Sequence, residues 1–222
     1  MPSKPNQVRL TLIAVSFATA AAFGRVPQKS LIVPGQSVGE LKLGQSKEQF
    51  RNVLNWKPNV DEDYSYPGSS GCLAREELHW LDAGNPPFSA GTTVHAGVFA
   101  YLRNGRIFQI AVATPLFQTA DGITENSSPE KVKRSYPHLE AYWRVNQRDL
   151  ATGDRDFIYW VDENKGVAFE FFYARNVRKR LVYRIYLFEQ GANFVPEGCI
   201  QSPQSWRKLQ PYSLEPPVEK PR

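Results

Sequence analysis

The chain of 222 residues has few of the side chains that build metal or redox centres: two cysteines, one methionine and three histidines. His79, His95 and His138 lie far apart and match no metal-ligand spacing such as HExxH. We therefore expect no metal and no cofactor. His79 lies beside Trp80 in a predicted strand, where a packed or half-exposed histidine is the expected role.

Signatures of nucleotide binding and hydrolysis are also missing. Gln45 stands where a phosphate-binding P-loop over residues 39–46 needs its lysine. The serines of Gly68-Ser69-Ser70-Gly71 lack the preceding strand and following helix that present a nucleophile. The adjacent acids Glu76 and Glu77 are expected to be solvated. We therefore expect a protein that is not an enzyme; the alternative is a cell-envelope hydrolase whose catalytic set cannot be recognised from sequence.

The excess of positive charge is small. The formal net charge is +5, and it falls to +3 if Lys4 and Arg9 are removed with a signal peptide, which is too mild to indicate a nucleic-acid partner. One local cluster, Arg175, Arg178, Lys179 and Arg180, lies at a predicted turn between two strands. We interpret it as a solvated turn that protects the sheet against edge pairing; the alternative is contact with anionic lipid or an acidic partner.

The sequence has one long apolar run, residues 10–23, and it lies at the N-terminus. Lys4 and Arg9 precede it without any acid, and small residues that fit an A-x-A cleavage pattern close it at residues 18–22. This order predicts a signal peptide over residues 1–22 and a periplasmic or secreted protein. A run of about 14 residues is shorter than the ~20 that span a bilayer. A retained N-terminal membrane anchor is the alternative.

The two cysteines, Cys72 and Cys199, form an even pair in a chain with a predicted export signal. An oxidising compartment favours a disulfide between them. The alternative is two buried free thiols that act as small apolar side chains.

The periodicity of the remaining chain predicts short helices and antiparallel strands. Ser46 and Ser128, the latter followed by Pro129, are good helix N-caps. Asn104-Gly105 lies between two apolar runs rich in strand-forming residues and predicts a type I′ hairpin. Three strands are expected after each helix. The predicted strands lie near residues 76–81, 98–103, 106–112, 156–161, 166–173 and 181–189.

The order helix, strand, strand, strand occurs twice, which predicts an α+β fold of two helix-plus-three-strand repeats. We expect a spacer over residues 23–36 and a single domain over residues 37–200, with repeats at 37–115 and 119–190. Residues 201–222 are rich in proline, which predicts a mobile tail.

Residues 39–50 combine a glycine, an aliphatic stretch, Leu-Gly-x-Ser and a short helix with an early glutamate, and residues 122–136 look like a second copy. This pattern resembles the superfamily that includes the tandem-repeat β-lactamase inhibitory proteins and the small lipoproteins of the outer-membrane barrel-assembly machinery. The chain lacks the lipid-carrying cysteine, and residues 54–58 depart from the usual Leu-Gly-x-Pro helix end. The resemblance implies short helices packed on one face of an antiparallel sheet. It also implies an exported module that binds a protein or envelope component and has no catalytic activity.

Strand alternation predicts which side chains face away from the helices. Tyr183, Ile185 and Leu187 on one strand, and Phe169, Phe171 and Tyr173 on another, are expected to face the helices. The hairpin turn predicts that Tyr101 pairs with Phe108 and Ala100 with Gln109. We therefore expect the opposite face to be a binding surface, unless the C-terminal tail or the loop at residues 61–71 covers it. Its predicted residues are Gln109, Glu170, Phe172, Arg184 and Tyr186.

Overall fold

The protein is seen in a computed structural model that describes residues 30–53, 76–81, 97–145, 156–173, 180–196 and 206–215. Within these ranges it forms twelve strands and two helices. In chain order they are β1 (Leu31–Val33), β2 (Ser37–Val38), β3 (Leu41–Lys42), α1 (Lys47–Val53), β4 (Glu76–Leu81), β5 (Gly97–Arg103), β6 (Arg106–Ala113), β7 (Gln118–Thr119), α2 (Pro129–Ser135), β8 (Glu140–Val145), β9 (Asp156–Asp162), β10 (Val167–Tyr173), β11 (Val182–Phe188) and β12 (Trp206–Lys208).

The main element is an antiparallel sheet of eight strands in the order β12-β8-β9-β10-β11-β6-β5-β4. It consists of two meanders, β4 to β6 and β8 to β11, which join where β6 pairs with β11. The predicted hairpin between β5 and β6 is confirmed: Asn104 and Gly105 both have positive φ, 53° and 71°, as a type I′ turn requires.

The second sheet has four short strands in the order β3-β2-β1-β7, and β1 runs parallel to β7. Its β1–β2 turn is fastened to the larger sheet where the Gly35 amide donates to the Gly166 carbonyl at 3.1 Å. Gly166 has a φ of +67°, and a Cβ there would lie 2.2 Å from the Phe188 carbonyl oxygen. Only glycine fits this contact between the two sheets.

Both helices begin at their predicted caps and are short. Ser128 accepts a hydrogen bond from the Lys131 amide at 3.3 Å, and Pro129 opens α2. Ser46 and Gln49 exchange side-chain and backbone bonds in the manner of a capping box. Each helix has seven residues and therefore contributes only about two turns of apolar surface to the core.

The expected α+β fold of two helix-plus-three-strand repeats is wrong, because the described chain is mostly β-sheet with two sheets of four and eight strands. The second meander has four strands, since Glu140–Val145 forms β8. Strand β12 adds an eighth strand from the C-terminal segment. The helices are too short to form a layer comparable with the sheets.

The structure differs from the expected boundaries at both ends of the described chain. Within the predicted spacer, Leu31–Val33 forms β1. Within the predicted mobile tail, residues 206–215 form β12 and then a segment in which the Ser213 carbonyl accepts a hydrogen bond from Trp160 Nε1 at 2.9 Å.

The predicted signal peptide and both cysteines, Cys72 and Cys199, lie outside the described residues. No helix in the described ranges is long and apolar enough to cross a membrane.

The eight-stranded sheet buries a separate hydrophobic cluster on each face. On the first face, a row of cross-strand neighbours belongs to a large aliphatic and aromatic cluster that includes the helix residues Phe50 and Val132. The residues of this row are Val98, Val112, Ile185, Phe169 and Trp160. The second face carries the neighbouring row. Its members are Phe99, Ala111, Tyr186, Ala168 and Val161.

The predicted helix-facing residues largely belong to the first face. Ile185, Leu187, Phe169 and Phe171 are all buried in its cluster. Tyr183 is not, because the register between β10 and β11 shifts after the pair Glu170 and Arg184, so that Phe171 pairs with Val182. Tyr183 is the extra residue of this β-bulge. The side chain of Tyr173 lies outside the described part of the structure.

Candidate functional site

The centre of the second face is built from small residues surrounded by aromatic ones. Ala111 pairs with Phe99 on one side and with Tyr186 on the other, and Tyr186 pairs with Ala168. Alanine at alternate positions of the row leaves space above the sheet for long neighbouring side chains. That space is occupied by polar groups as well as rings.

Four of the five predicted binding residues lie on this face. Glu170 and Arg184 are direct cross-strand partners, and Tyr186 follows Arg184 by two residues. The Tyr186 hydroxyl donates to Glu170 Oε2 at 2.6 Å, and Arg184 Nη1 donates to the Tyr186 oxygen at 3.4 Å. The fourth is Gln109, and the side chain of Phe172 lies outside the described residues. The structure thus brings Glu170, Arg184 and Tyr186 into one hydrogen-bonded group.

This group is buried. Gln109 and Glu170 are each 1% exposed and Tyr186 is 0% exposed. A carboxylate and a phenol can be removed from water at acceptable cost only when they bond to one another or to other polar groups. The group therefore belongs to the interior of the protein. A macromolecule bound on this face would not touch Glu170 or Tyr186.

Arg184 connects the group to β4 through an aromatic ring. Its guanidinium lies 5.1 Å from the Phe99 ring centroid, a cation–π distance. The Phe99 ring also makes a T-shaped contact with His79, with 4.9 Å between the ring centroids. His79 Nε2 lies 2.8 Å from Glu77 Oε1. His79 is packed, as expected, but Glu77 is 7% exposed and not solvated as its sequence position suggested.

A second β-bulge determines how Gln109 reaches this face. The structure pairs Tyr101 with Gln109 and Leu102 with Ile107, so the expected pairs of Tyr101 with Phe108 and Ala100 with Gln109 are wrong. Phe108 is the extra residue, and it packs against the second-face cluster. Bulges re-aim side chains at strand ends, and this one puts both Phe108 and Gln109 at one end of the second face.

Residues 189–196 fold back over the second face and cover part of it. Phe194 packs against Tyr159, Tyr186 and Phe188 with centroid distances of 5.2 to 5.6 Å. Gln109 Nε2 donates to the Val195 carbonyl at 2.8 Å and holds the end of the segment. The cover therefore comes from a segment that directly follows β11, in addition to whatever the residues outside the described ranges contribute.

A cleft remains open between this covering segment and the end of β6. It has a volume of about 90 Å³. Its floor is apolar, and Gln109, Asn193 and two charged residues add polar groups. The lining residues are Arg103, Phe108, Gln109, Phe188, Glu189, Ala192, Asn193 and Val195.

Charged residues of both signs line the cleft. Arg103 and Glu189 are exposed, and the Arg103 guanidinium lies 5.3 Å from the Phe108 ring centroid. An apolar pocket with a few convergent polar groups is the usual form of a small-ligand site. We therefore take the cleft as the candidate functional site and the buried Glu170 group as its support.

A separate polar cluster lies where β8 pairs with β12. Lys208 Nζ donates to Glu140 at 2.7 Å and the Tyr142 hydroxyl donates to the same carboxylate at 2.6 Å. These hydrogen bonds, that from Lys208 first, lower the pKa of Glu140. Burial, reinforced by the hydrogen bond to Glu140, raises the pKa of Tyr142. Lys208 and Glu140 are both about half exposed, so this cluster stabilises the edge of the sheet at the surface.

Two further predictions concern metals and the basic cluster. Among the described residues, no group of three or more His, Cys, Asp or Glu side chains is arranged to hold a metal ion. Arg175, Arg178 and Lys179 lie outside the described residues. Arg180 is described, and its guanidinium lies 3.9 Å from the exposed carboxylate of Glu215. Lipid contact by this cluster stays a prediction.

Comparison of the chain with models of protein families, with curated proteins and with solved structures found no match.

Proposed function

We propose that the protein is an exported, non-catalytic binding module and that its ligand occupies the cleft beside Gln109. Export rests on the charged, apolar and small-residue order of residues 1–22. The observation that carries the binding site is the cleft itself, since it combines an apolar floor with polar groups that converge from three segments.

The cleft supports a small ligand, or one projecting group of a larger one, better than a flat macromolecular surface. Interface hot spots need aromatic and arginine side chains that a partner can reach. Tyr186 is fully buried, and the guanidinium of Arg184 lies against the ring of Phe99. Arg103, Glu189 and Asn193, in contrast, are exposed at the mouth of the cleft.

The buried polar residues of the second face have a supporting role in this proposal. Gln109 joins β6 to the covering segment through its 2.8 Å bond to the Val195 carbonyl. Phe194 anchors the same segment on Tyr186, whose hydroxyl is held by Glu170. Rigid support of this kind pre-organises a site and reduces the entropy lost on binding.

A ligand screen on the purified chain tests the proposal. Amino acids, short peptides, sugars, phosphates and short carboxylates would be tested by thermal shift and by NMR shift perturbation. Ala192→Trp fills the cleft and should abolish binding of any hit. Lys42→Ala replaces an exposed residue of the four-stranded sheet and should leave binding unchanged. Binding that survives Ala192→Trp would show that the cleft is not the site. Turnover of an activity-based hydrolase probe would favour the hydrolase alternative.

A further inference from the structure

Two opposite charges at the cleft are left available for a ligand. Arg103 and Glu189 both line it, and both are exposed. Within the described part of the chain, the Arg103 guanidinium contacts the Phe108 ring, and neither side chain forms an ion pair with the other. A cation and an anion that share a small cleft without pairing can each meet a group of opposite charge on one ligand.

The floor of the cleft limits the rest of that ligand. It is formed by the rings of Phe108 and Phe188 together with Ala192 and Val195. A cavity of about 150 Å³ is enough to hold benzene, so a cleft of about 90 Å³ suits a group smaller than a six-membered ring. The cleft therefore has room for one short aliphatic group and is too small for a nucleotide or a sugar ring.

Two neutral polar side chains also line the cleft. The Gln109 amide nitrogen is already engaged by the Val195 carbonyl at 2.8 Å. Asn193 is exposed at the same cleft and offers a neutral donor and acceptor. Arginine binds carboxylates through two parallel hydrogen bonds, whereas a glutamate accepts from an ammonium group.

We infer that the cleft binds a zwitterionic α-amino acid with a short apolar side chain, an inference that rests on the proposed binding function. Arg103 binds the α-carboxylate and Glu189 binds the α-ammonium group. The aliphatic side chain lies on Phe108, Phe188 and Val195. Neither charge of the ligand enters the buried region around Glu170, so neither pays the cost of burial without a partner.

The experiment titrates the full chain with three related ligands and follows NMR shifts of the cleft residues. L-valine carries both charges, isovalerate lacks the ammonium group, and isobutylamine lacks the carboxylate. Because each analogue lacks one of the two charged groups that receive a hydrogen-bonded partner in the cleft, valine should bind about 10- to 100-fold more tightly than either analogue. Equal affinity for all three would overturn the assignment of both charges.

Charge-removing variants of similar size separate the two contacts. Arg103→Gln should weaken valine at least tenfold and leave isobutylamine unchanged. Glu189→Gln should weaken valine similarly and leave isovalerate unchanged. Lys42→Gln is the matched control, and thermal melting shows whether each variant is folded.

The failure of this inference can be told apart from failure of the proposed function. If valine does not bind but another ligand does, and Ala192→Trp abolishes that binding, the amino-acid assignment falls and the binding module stands. If no ligand perturbs the cleft residues, both fall.

Discussion

The two faces of the eight-stranded sheet are made by the same strands and yet have different chemistry. The first face buries an almost wholly apolar cluster with Phe50 and Val132 of the helices. The second face buries a row of small and aromatic residues together with Gln109, Glu170 and Glu77. Apolar packing is non-directional, whereas each buried polar group must meet a particular partner. The stability of the first face therefore depends mainly on the apolar area that it buries, whereas that of the second face also depends on particular hydrogen bonds.

The difference also extends to how each face is covered. Helices and the C-terminal segment with Tyr212 and Leu214 pack on the first face. The second face is covered in part by residues 189–196, which meet it through Phe194 and leave the cleft open. A site that binds a ligand is better placed beside a short covering segment than beneath a packed layer, because the segment leaves an opening through which a ligand can reach the cleft.

The largest expected change in unfolding free energy comes from comparing one phenylalanine on each face of the sheet. Phe169 is 0% exposed in the centre of the first face, so Phe169→Ala should lower the free energy of unfolding by about 3–5 kcal/mol. Phe194→Ala removes the same ring from the covering segment of the second face, which can relax into the space, and should cost less than half as much. Urea denaturation measures both. Equal losses of unfolding free energy would show that the two faces do not differ in their contribution to stability.

The next effect concerns the buried hydrogen bond of the second face. Tyr186→Phe removes the hydroxyl that donates to Glu170 at 2.6 Å, and should destabilise the protein by about 1–3 kcal/mol because a buried carboxylate loses a donor. Tyr142→Phe removes a bond of equal length to Glu140, whose carboxylate is half exposed, and should cost less. A double-mutant cycle with Glu170→Gln should show coupling of about 0.5–3 kcal/mol. Additive losses would mean that the pair acts independently.

A third prediction uses the buried phenol of the first face. Burial raises the pKa of Tyr136 to about 12 from an ordinary value of 10. Because the folded state holds the proton more tightly, this stability is complete below about pH 10 and is lost as the pH rises towards 12. Between pH 8 and pH 11.5 the wild type should lose about 2 kcal/mol relative to Tyr136→Phe. Unfolding measured at both pH values checks this, and parallel pH profiles of the two proteins would contradict it.

The smallest expected effect is on the exposed rim of the cleft. Arg103→Gln should change the free energy of unfolding by no more than about 0.5 kcal/mol, as is usual for an exposed side chain. The same substitution is expected to weaken ligand binding. A large loss of stability would place Arg103 among the structural residues and would remove it from the proposed site.

Much of the local structure could be predicted from sequence because its causes are local. Ser46 and Ser128 cap the helices, and Asn104-Gly105 makes the hairpin turn. Strand alternation also grouped Glu170, Arg184 and Tyr186 on one face. The fold class was missed because the strand β8 and the pairing of β12 were not expected, although Glu140–Val145 does alternate polar and apolar residues over most of its length.

The grouping of Gln109 with that face was predicted from an incorrect register. A regular two-residue hairpin pairs Gln109 with Ala100, and the structure pairs it with Tyr101 because Phe108 bulges. Nothing in the local sequence marks this bulge. The same applies to Tyr183, which its bulge separates from the first-face cluster.

By itself, the sequence determined the caps, the hairpin turn and the two-sided strands, because each depends on residues within a few positions of one another. Only the tertiary structure decided that Gln109 meets Val195, that Phe194 covers Tyr186, and that Arg103 and Glu189 line one cleft. These contacts join residues from separate segments, and they depend on bulges and on the path of residues 189–196. Local propensity does not encode such contacts, because their energies are realised only when the whole sheet is formed.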